Sequence, residues 1–437
     1  MATFLEPTDA AYESELAGFN TAFEQHPDVV VPAESEADVV EAIAYARDHG
    51  LTVTALATGH GTHLSATGGL VINLSRLDSV TIDADARIAT IGGGTRWEAV
   101  VDAAAPHGLA PVTGSSTNVG VVGYLLGGGL GPLARTHGFS SDWVRSFTLV
   151  TASGEVVTAD ADSNPELFWG LRGGKGGFGI VTSVTIELVP ASGVYGGAVI
   201  FAEEHIEQAL RAWIDYTQAP SDEATTSAII INFPPFEQVP PPFRGRRLLM
   251  VRFAHVGDRG EELAAPIRAF APVYIDAVRP LALTEVAQIH SDPTDPGPGW
   301  GVGGLLNDLD QDFATTLLQF SGTGSTAPFI AAEIRQLGGA TLEDVPEGSA
   351  AGGRASGFTF HLIGAPDPSL FETVLPAAGA GFVQAIGRWM SPETNINFAD
   401  SSDPVAFRAA WPQETFDRLA SVRTSVDPDD LFPFGPH

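Results

Sequence analysis

The stretch GSSTNVGVVGYLLGGGLG occupies residues 114–131 and holds seven glycines, several hydroxyl side chains and one amide. Such a stretch exposes many backbone N–H groups, and converging N–H groups bind anions such as a pyrophosphate. Its spacing matches neither a GxxxxGK[ST] phosphate loop nor the GxGxxG turn of a βαβ unit. It therefore predicts an anion-binding loop of another kind, and a glycine-rich structural turn is the alternative.

Upstream, the segment ATGHGTH at residues 57–63 lies between two predicted strands. Glycines on both sides of His60 allow the backbone to approach a ligand closely. An imidazole held beside a flavin ring is open to alkylation at the benzylic methyl group of the ring, which would fix the flavin covalently. On this short motif alone, an ordinary loop histidine is the alternative.

Downstream, WGLRGGKGGFGIVT at residues 169–182 leads directly into a predicted strand. A second loop of backbone donors fits an extended dinucleotide. Its two cations, Arg172 and Lys175, are candidates for phosphate contacts, and pairing with one of the many carboxylates is the alternative.

The surrounding sequence predicts alternating strands and helices. A 3.6-residue apolar period begins at Ala37, with Ser35 as the candidate N-cap and Gly50 as the left-handed residue that ends the helix. A second helix is predicted from Arg96 to the next such glycine, Gly108. Residues 146–159 predict a hairpin, so this half of the chain is expected to be α+β or α/β.

After residue 195, apolar strands alternate with amphipathic helices. The strands are SAIIINF (227–233) and RLLMVRFAHVG (247–257), and the helices are EEHIEQALRAWIDY (203–216) and GEELAAPIRAFA (260–271). This pattern predicts a substrate-binding domain. Its aromatic residues are candidates for an apolar substrate wall or for simple core: Phe233, Phe236, Phe243 and Trp300.

Composition excludes several classes of function. Twenty-two basic and 53 acidic side chains give a net charge of −31, which disfavours nucleic acid and anionic membrane surfaces as partners. The absence of cysteine excludes disulfides and thiolate metal sites, and no metal site is predicted. Neither a leader-like N-terminus nor about eighteen uninterrupted apolar residues occur, so we expect a cytoplasmic protein, monomeric or homodimeric.

Taken together, the three glycine-rich segments resemble the FAD-linked oxidoreductases of the vanillyl-alcohol oxidase superfamily, specifically the berberine-bridge-enzyme-like branch. The opening HPDVVVPAESEADVVEAIAYARDHGLTVTALATGHG of residues 26–61 is similar to the N-terminal signature of that family. The resemblance covers about residues 24–190 and the C-terminal stretch. There, NINF (395–398) and RLASVRTSVDPDDLF (418–432) resemble the closing strand, helix and DPxxxF element of the family.

This resemblance implies an α+β fold with a PCMH-type FAD-binding domain of two α+β subdomains. A substrate domain with an antiparallel sheet flanked by helices completes the expected architecture. The implied organisation is an FAD-binding domain at residues 1–190 and a substrate-binding domain at 191–394. Residues 395–437 then return to the FAD-binding domain.

The implied cofactor is FAD, linked through His60. Many relatives have a second link through a cysteine, but Ser116 stands at that position, so a single link is expected. Leu56 stands where relatives often have arginine. The implied FAD contacts are Thr58, Gly59, His60, Gly61, Thr62, His63, Gly114, Ser115, Ser116, Asn118, Val119, Gly120, Val121, Gly123, Tyr124, Gly127, Gly128, Gly129, Gly179, Ile180, Val181, Asn395 and Asn397. Val121 is also near the position where the family controls oxygen access, and a packing role is its alternative.

The implied reaction moves a hydride from an alcohol or amine carbon of a small organic molecule to flavin N5, with O₂ as acceptor. The alternatives are an oxidative cyclase of secondary metabolism and a flavin-binding protein without turnover. Asn395 stands at the tyrosine position of the Tyr-x-Asn element of the family and is therefore a candidate catalytic residue, although an amide is no base near neutral pH. His361 is the first candidate base, followed by His290, with Glu285, Asp308 and Glu333 also open. A paired or solvated polar residue is the alternative for each.

Overall fold

The structure is a computed structural model that describes residues 1–62, 65, 67–219, 221–399 and 403–433; the predicted FAD contact His63 lies outside the described residues. The strands are β1 (Val29–Pro32), β2 (Val53–Leu56), β3 (Leu70–Asn73), β4 (Val80–Asp83), β5 (Ile88–Gly92), β6 (Leu109–Ala110), β7 (Val144–Val150), β8 (Val156–Ala159), β9 (Ile180–Glu187), β10 (Val189–Pro190), β11 (Val194–Phe201), β12 (Thr225–Asn232), β13 (Arg247–His255), β14 (Val273–Asp276), β15 (Arg279–Leu281), β16 (Gly301–Leu306), β17 (Phe329–Gln336) and β18 (Phe358–Gly364).

The α-helices are α1 (Tyr12–Glu15), α2 (Glu36–His49), α3 (Trp97–Ala104), α4 (Val121–Leu125), α5 (Ala134–His137), α6 (Pro165–Leu171), α7 (Ile206–Thr217), α8 (Gly260–Ala264), α9 (Gln311–Ser321), α10 (Val374–Ala385), α11 (Pro404–Arg408) and α12 (Gln413–Val426). Short 3₁₀ helices occupy Ala105–His107, Ser140–Trp143, Glu203–His205, Ala265–Ala269, Leu283–Ile289, Gly339–Leu342 and Pro368–Leu370.

A parallel sheet of strand order β1-β3-β2 opens the chain, and the first predicted helix packs against it. Helix α2 begins as predicted, because the Ser35 side chain accepts a hydrogen bond from the backbone N–H of Asp38. It ends at Gly50, whose φ of 66° is the left-handed conformation predicted there. This sheet places the end of β2 directly before the His60 loop.

A second sheet, of order β4-β5-β9-β7-β8, is antiparallel throughout. The predicted hairpin is confirmed as β7 and β8. The second predicted helix is confirmed as α3 with a 3₁₀ turn, which ends at Gly108 with a φ of 66°. Trp97, Phe147 and Phe168 are fully buried in the core of this layer.

The large antiparallel sheet has the order β14-β11-β13-β12-β17-β18-β16, with β15 paired to β11. Helices α7, α9 and α10 cover one face, where Trp213, Phe313 and Phe382 pack among the side chains of the strands. The predicted antiparallel sheet flanked by helices is therefore confirmed. The boundaries at residues 190 and 394 stay a prediction.

The C-terminal stretch differs from its prediction in one element. Residues 395–398 form a turn and not a strand, because the Asn395 carbonyl accepts the backbone N–H groups of Phe398 and Ala399. The Asn395 side chain also accepts the N–H of Asn397, and such local hydrogen bonds compete with strand pairing. The expected helix is present as α12, and Asp427 of the DPxxxF element accepts the backbone N–H groups of Leu431 and Phe432.

Candidate active site

The three glycine-rich segments come together around the His60 loop. A Cβ atom added to Gly120 would lie 3.2 Å from Cγ2 of Thr58, so the first two loops touch. The Asn118 backbone carbonyl is also a hydrogen-bond partner of the His60 imidazole. The third loop joins through the backbone N–H of Lys175, which donates to the Leu126 carbonyl at 2.7 Å.

The C-terminal stretch completes this arrangement through Asn397. Its Nδ2 donates to the Tyr124 carbonyl at 3.0 Å, and its Oδ1 accepts from Lys175 Nζ at 3.1 Å. Gly127 permits this approach, because a Cβ atom there would lie 2.0 Å from Asn397 Oδ1. Gly127 and Asn397, which are 270 positions apart in sequence, can therefore lie in contact only because residue 127 has no side chain.

Backbone donors in the first two loops are unused within the described part of the chain. The N–H groups of Gly59, His60 and Gly61 donate no hydrogen bond to any described residue, and neither do those of residues 114–118. Unpaired N–H groups on two adjoining loops are what the phosphates of a dinucleotide require. These residues fit FAD on that ground.

His60 has the environment of a nucleophile. Its ring stacks on Phe19 with 3.7 Å between centroids, and Nε2 is buried without a hydrogen-bond partner among the described residues. Burial first, and then the Arg96 guanidinium, lower the pKa of His60 to about 4, although the Asn118 carbonyl raises it. The imidazole is therefore uncharged at neutral pH, which leaves a nitrogen lone pair free to bond.

A cluster of buried charges lies on the face of the large sheet opposite α7, α9 and α10. Strand register places Ser227 between Arg252 and Arg335, and Glu333 opposite His361. One carboxylate oxygen of Glu333 accepts from Arg252 Nη1, and the other accepts from Arg335 Nε at 2.8 Å. One carboxylate thus bridges two guanidiniums.

Both predicted histidines adjoin Glu333. His290 is buried, its Nε2 lies 3.9 Å from a Glu333 oxygen, and its Nδ1 has no partner among the described residues. His361 is half-buried, and no described residue forms a hydrogen bond with its ring, which meets Phe398 edge-on at 6.2 Å between centroids. Burial first lowers the pKa of each imidazole, most strongly that of His290.

Arg335 links this charged cluster to the glycine-rich loop at residues 114–131. Its Nη2 lies 3.4 Å from the Ser115 hydroxyl, and its guanidinium carbon lies 5.1 Å from the ring centre of Phe398. The cluster and the glycine-rich loop are therefore two sides of one site. Neither arginine was predicted, although a charged residue inside the apolar strands LLMVRFAH and FIAAEIRQ was a usable signal.

Several predicted residues have packing roles. Val121 is fully buried in the core, as its alternative interpretation stated, and Ile180 and Val181 also pack into cores. A Cβ atom on Gly179 would lie 2.7 Å from the Val150 carbonyl. The remaining predicted contacts all lie within the loops and α4: Thr62, Gly114, Ser116, Val119, Gly123, Gly128 and Gly129.

The other predicted candidates lie outside the charged cluster. Glu285 pairs with Arg279 at the surface, and Asp308 is exposed. Phe233 and Phe243 stack at 5.3 Å, Phe236 is exposed, and Trp300 packs by α10 on the other side of the sheet. The four aromatic residues therefore do not form one wall, because the sheet separates Trp300 from Phe233 and Phe243.

Removing the charge of Glu333 should destabilise the fold strongly. Glu333→Gln leaves Arg252 and Arg335, whose side chains are 5% and 15% exposed, without an ion-pair partner among the described residues, and breaking such a buried pair costs about 3–5 kcal/mol. Urea denaturation at neutral pH measures this loss. Glu285→Gln, which breaks a surface ion pair, is the matched control and should change little.

The loss of stability in Glu333→Gln should also depend on pH. Burial raises the pKa of Glu333, but the Arg335 and Arg252 guanidiniums lower it more, to well below its ordinary value. The carboxylate therefore stabilises the fold fully above the ordinary pKa of a glutamate, and this contribution disappears as the pH falls through the lowered pKa. Equal stability of variant and wild type at neutral pH would contradict the bridging role.

Comparison with known proteins agrees with this geometry. A protein-family model described as an FAD binding domain matches residues 27–160. The chain is also 30% identical to the uncharacterized FAD-linked oxidoreductase YgaK of Bacillus subtilis (strain 168), over 98% of this chain and 94% of that protein. The chain belongs to the FAD-linked oxidoreductase family.

This FAD-linked oxidoreductase is also similar to (R)-6-hydroxynicotine oxidase of Paenarthrobacter nicotinovorans, with 38% identity over 184 residues. The matched segment is 42% of this chain and 40% of that enzyme. Matches to six further FAD-linked oxidoreductases span 32% to 55% of those proteins. The fold is shared with the BBE-like 1 protein of Physcomitrella patens, at a TM-score of 0.86 and 19% identity over 99% of this chain and 96% of that one.

These findings confirm the predicted fold class and the predicted FAD-linked oxidoreductase family, and the chain is an FAD-dependent oxidoreductase. Among the described residues, no helix combines the length and hydropathy needed to cross a membrane. The described histidine, aspartate and glutamate side chains form no group of three or more suited to a metal ion.

Proposed function

We propose that this FAD-linked oxidoreductase is an oxidase that removes a hydride from an alcohol or amine carbon of a small organic molecule. The observation that carries the proposal is the Arg252–Glu333–Arg335 cluster with His361 beside it. This cluster adjoins the glycine-rich FAD loop through the contact between Arg335 and Ser115. It provides a proton acceptor and a fixed positive charge beside the Ser115 loop.

His60 holds FAD covalently in this proposal, and the attachment is single. The neutral, half-buried imidazole supplies the bond-forming nitrogen, whereas Ser116 has a hydroxyl where a second link needs a thiol. When bound, FAD would supply a hydride acceptor at N5 and a route for the electrons to O₂. The protein supplies the position and the electrostatics around that step.

His361 accepts the proton from the substrate hydroxyl or amine. Its lowered pKa keeps the ring uncharged near neutral pH, and no described residue occupies its nitrogens. Glu333 is a poorer base, because its two guanidinium partners hold its pKa well below the ordinary value. The carboxylate is therefore ionised but fully engaged.

Arg335 stabilises negative charge that develops on the substrate heteroatom as the proton leaves. Preorganised cations are most effective where water is excluded, and the Arg335 side chain is only 15% exposed. Glu333 keeps this guanidinium in place through Nε, and Arg252 steadies Glu333 from the other side. The cluster thus orients one cation towards the Ser115 loop.

The relatives support an oxidase of small molecules without identifying the substrate. One of them is named (R)-6-hydroxynicotine oxidase, and its match to this chain falls on less than half of each protein. A cytoplasmic location and a monomeric or homodimeric state remain predictions from composition.

A substrate screen with two readouts tests the proposal. Purified protein is mixed anaerobically with panels of alcohols, amines and sugars, and bleaching of the flavin absorbance reports hydride transfer. Air is then admitted, and H₂O₂ is measured. Bleaching followed by rapid reoxidation with H₂O₂ supports an oxidase. Bleaching without reoxidation by O₂ contradicts the oxidase assignment, and a flavin that no panel member reduces argues for a protein without turnover.

A further inference from the structure

Lys175 is the only lysine in the 437-residue chain. Its backbone has a φ of 71°, in the left-handed region that favours glycine, and it lies in a loop that is otherwise rich in glycine. A lysine at this position therefore adopts a backbone conformation that glycine would adopt more easily. That placement calls for a role of the side chain itself.

The ammonium group of Lys175 faces the cofactor loops. Its Nζ donates to Asn397 Oδ1 at 3.1 Å and lies 3.8 Å from the position that a Cβ atom on Gly61 would occupy. Gly61 directly follows His60, and its backbone N–H is among the unused donors. The Lys175 ammonium group thus lies between the His60 loop and the C-terminal stretch.

Among the described residues, Lys175 has no acidic partner, although the chain contains 53 acidic residues. No described carboxylate lies within ion-pair distance of Nζ, and its hydrogen-bond partner is a neutral amide. Burial lowers the pKa of Lys175 to about 8, with no carboxylate acting to raise it. The site therefore contains a half-buried positive charge without a counter-charge in the part of the chain that the structure describes.

The other cation of the same loop is different. Arg172 is buried, lies 3.4 Å from a Glu347 oxygen, donates to the Gly348 carbonyl at 2.5 Å and stacks over Phe168. Its partners account for its position. Of the two cations, Arg172 is structural, whereas Lys175, which pairs with no described carboxylate, adjoins the His60 loop and residues 114–131.

We propose that Lys175 contacts FAD and neutralises negative charge on the cofactor. FAD offers that charge in two places, the pyrophosphate and the isoalloxazine ring once it is reduced. Both are anionic groups that an ammonium without a counter-charge binds well. Lys175 thereby sets either the affinity for FAD or the reduction potential of the flavin.

The experiment compares Lys175→Met, Lys175→Gly and Lys175→Arg with Arg87→Met. Arg87 also has a positive φ, of 56°, but is exposed and outside the site, so its variant controls for loss of one charge at such a backbone position. The flavin midpoint potential is measured in otherwise wild-type protein. Affinities for FAD and ADP are measured in a His60→Ala background, where the cofactor is exchangeable.

A pyrophosphate contact predicts about tenfold weaker binding of both FAD and ADP in the Met and Gly variants. A contact with the reduced ring predicts unchanged ADP binding and a lower potential, where tenfold in relative affinity corresponds to about 30 mV for a two-electron couple. Lys175→Arg should restore either property, and Arg87→Met should change neither. The proposal is overturned if affinity and potential both stay at wild-type values in Lys175→Met and Lys175→Gly, or if Arg87→Met shifts them equally.

Discussion

Replacing His60 with alanine is expected to abolish covalent attachment of the flavin. The imidazole is the only described group in the three loops that combines nucleophilic nitrogen, partial burial and a neutral state at pH 7. Because its pKa is near 4, attachment in the wild type should proceed equally well from about pH 6 to pH 8. The variant should still bind FAD reversibly, since the unused backbone donors remain.

Acid precipitation separates these outcomes. The yellow colour should stay with the wild-type pellet and move to the supernatant for His60→Ala, and the mass of the intact chain should lose the flavin adduct. His26→Ala, which changes an exposed histidine elsewhere, is the control and should keep the adduct. A colourless wild-type pellet would show that the FAD is not covalent. Loss of all flavin from the variant would show that His60 is needed for binding itself.

The cofactor side of the site was readable from sequence because its signals are local. The glycines beside His60 and those at 114–131 indicate backbone conformations that other residues disfavour. Such conformations depend on the residues next to them in the sequence. The same holds for α2, whose cap Ser35 and terminal Gly50 lie at its own ends. Contacts between the loops were implied only by the resemblance.

The substrate side was less readable because strand register creates it. Arg252 and Arg335 approach one another only because β12 lies between β13 and β17, with Ser227 opposite both. No local pattern specifies that order of strands across 83 residues. Glu333, His290 and His361 were on the list of candidates, but without the register nothing distinguished them from the surface residues Glu285 and Asp308.

The turn at residues 395–398 shows a different limit. Family resemblance predicted a strand there, but Asn395 accepts local backbone hydrogen bonds through both its carbonyl and its side chain. A side chain that bonds to its own neighbours removes those groups from strand pairing. The residue that departs from the family pattern is thus also the one that forms the turn.

Replacing His361 with asparagine is expected to lower the rate of flavin reduction by about 10²- to 10⁴-fold, the usual contribution of a positioned general base. Asparagine retains a polar side chain of similar size but accepts no proton near neutral pH. Stopped-flow measurement of anaerobic bleaching isolates this step. His137→Asn, which changes a half-buried histidine outside the cluster whose pKa is also lowered by burial, is the matched control and should retain the wild-type rate.

The pH dependence distinguishes a base from a structural residue. Burial first lowers the pKa of His361, and nearby Arg335 lowers it further, although Glu333 and Asp292 raise it, so the net value lies below 6.5. The rate of the wild type should therefore rise as the pH passes through that lowered pKa and then level off, and this acidic limb should vanish in His361→Asn. A limb that persists in His361→Asn but disappears in His290→Asn would transfer the role to His290, whose buried ring adjoins the same carboxylate. Unchanged rates in both His361→Asn and His290→Asn would show that neither histidine is the base.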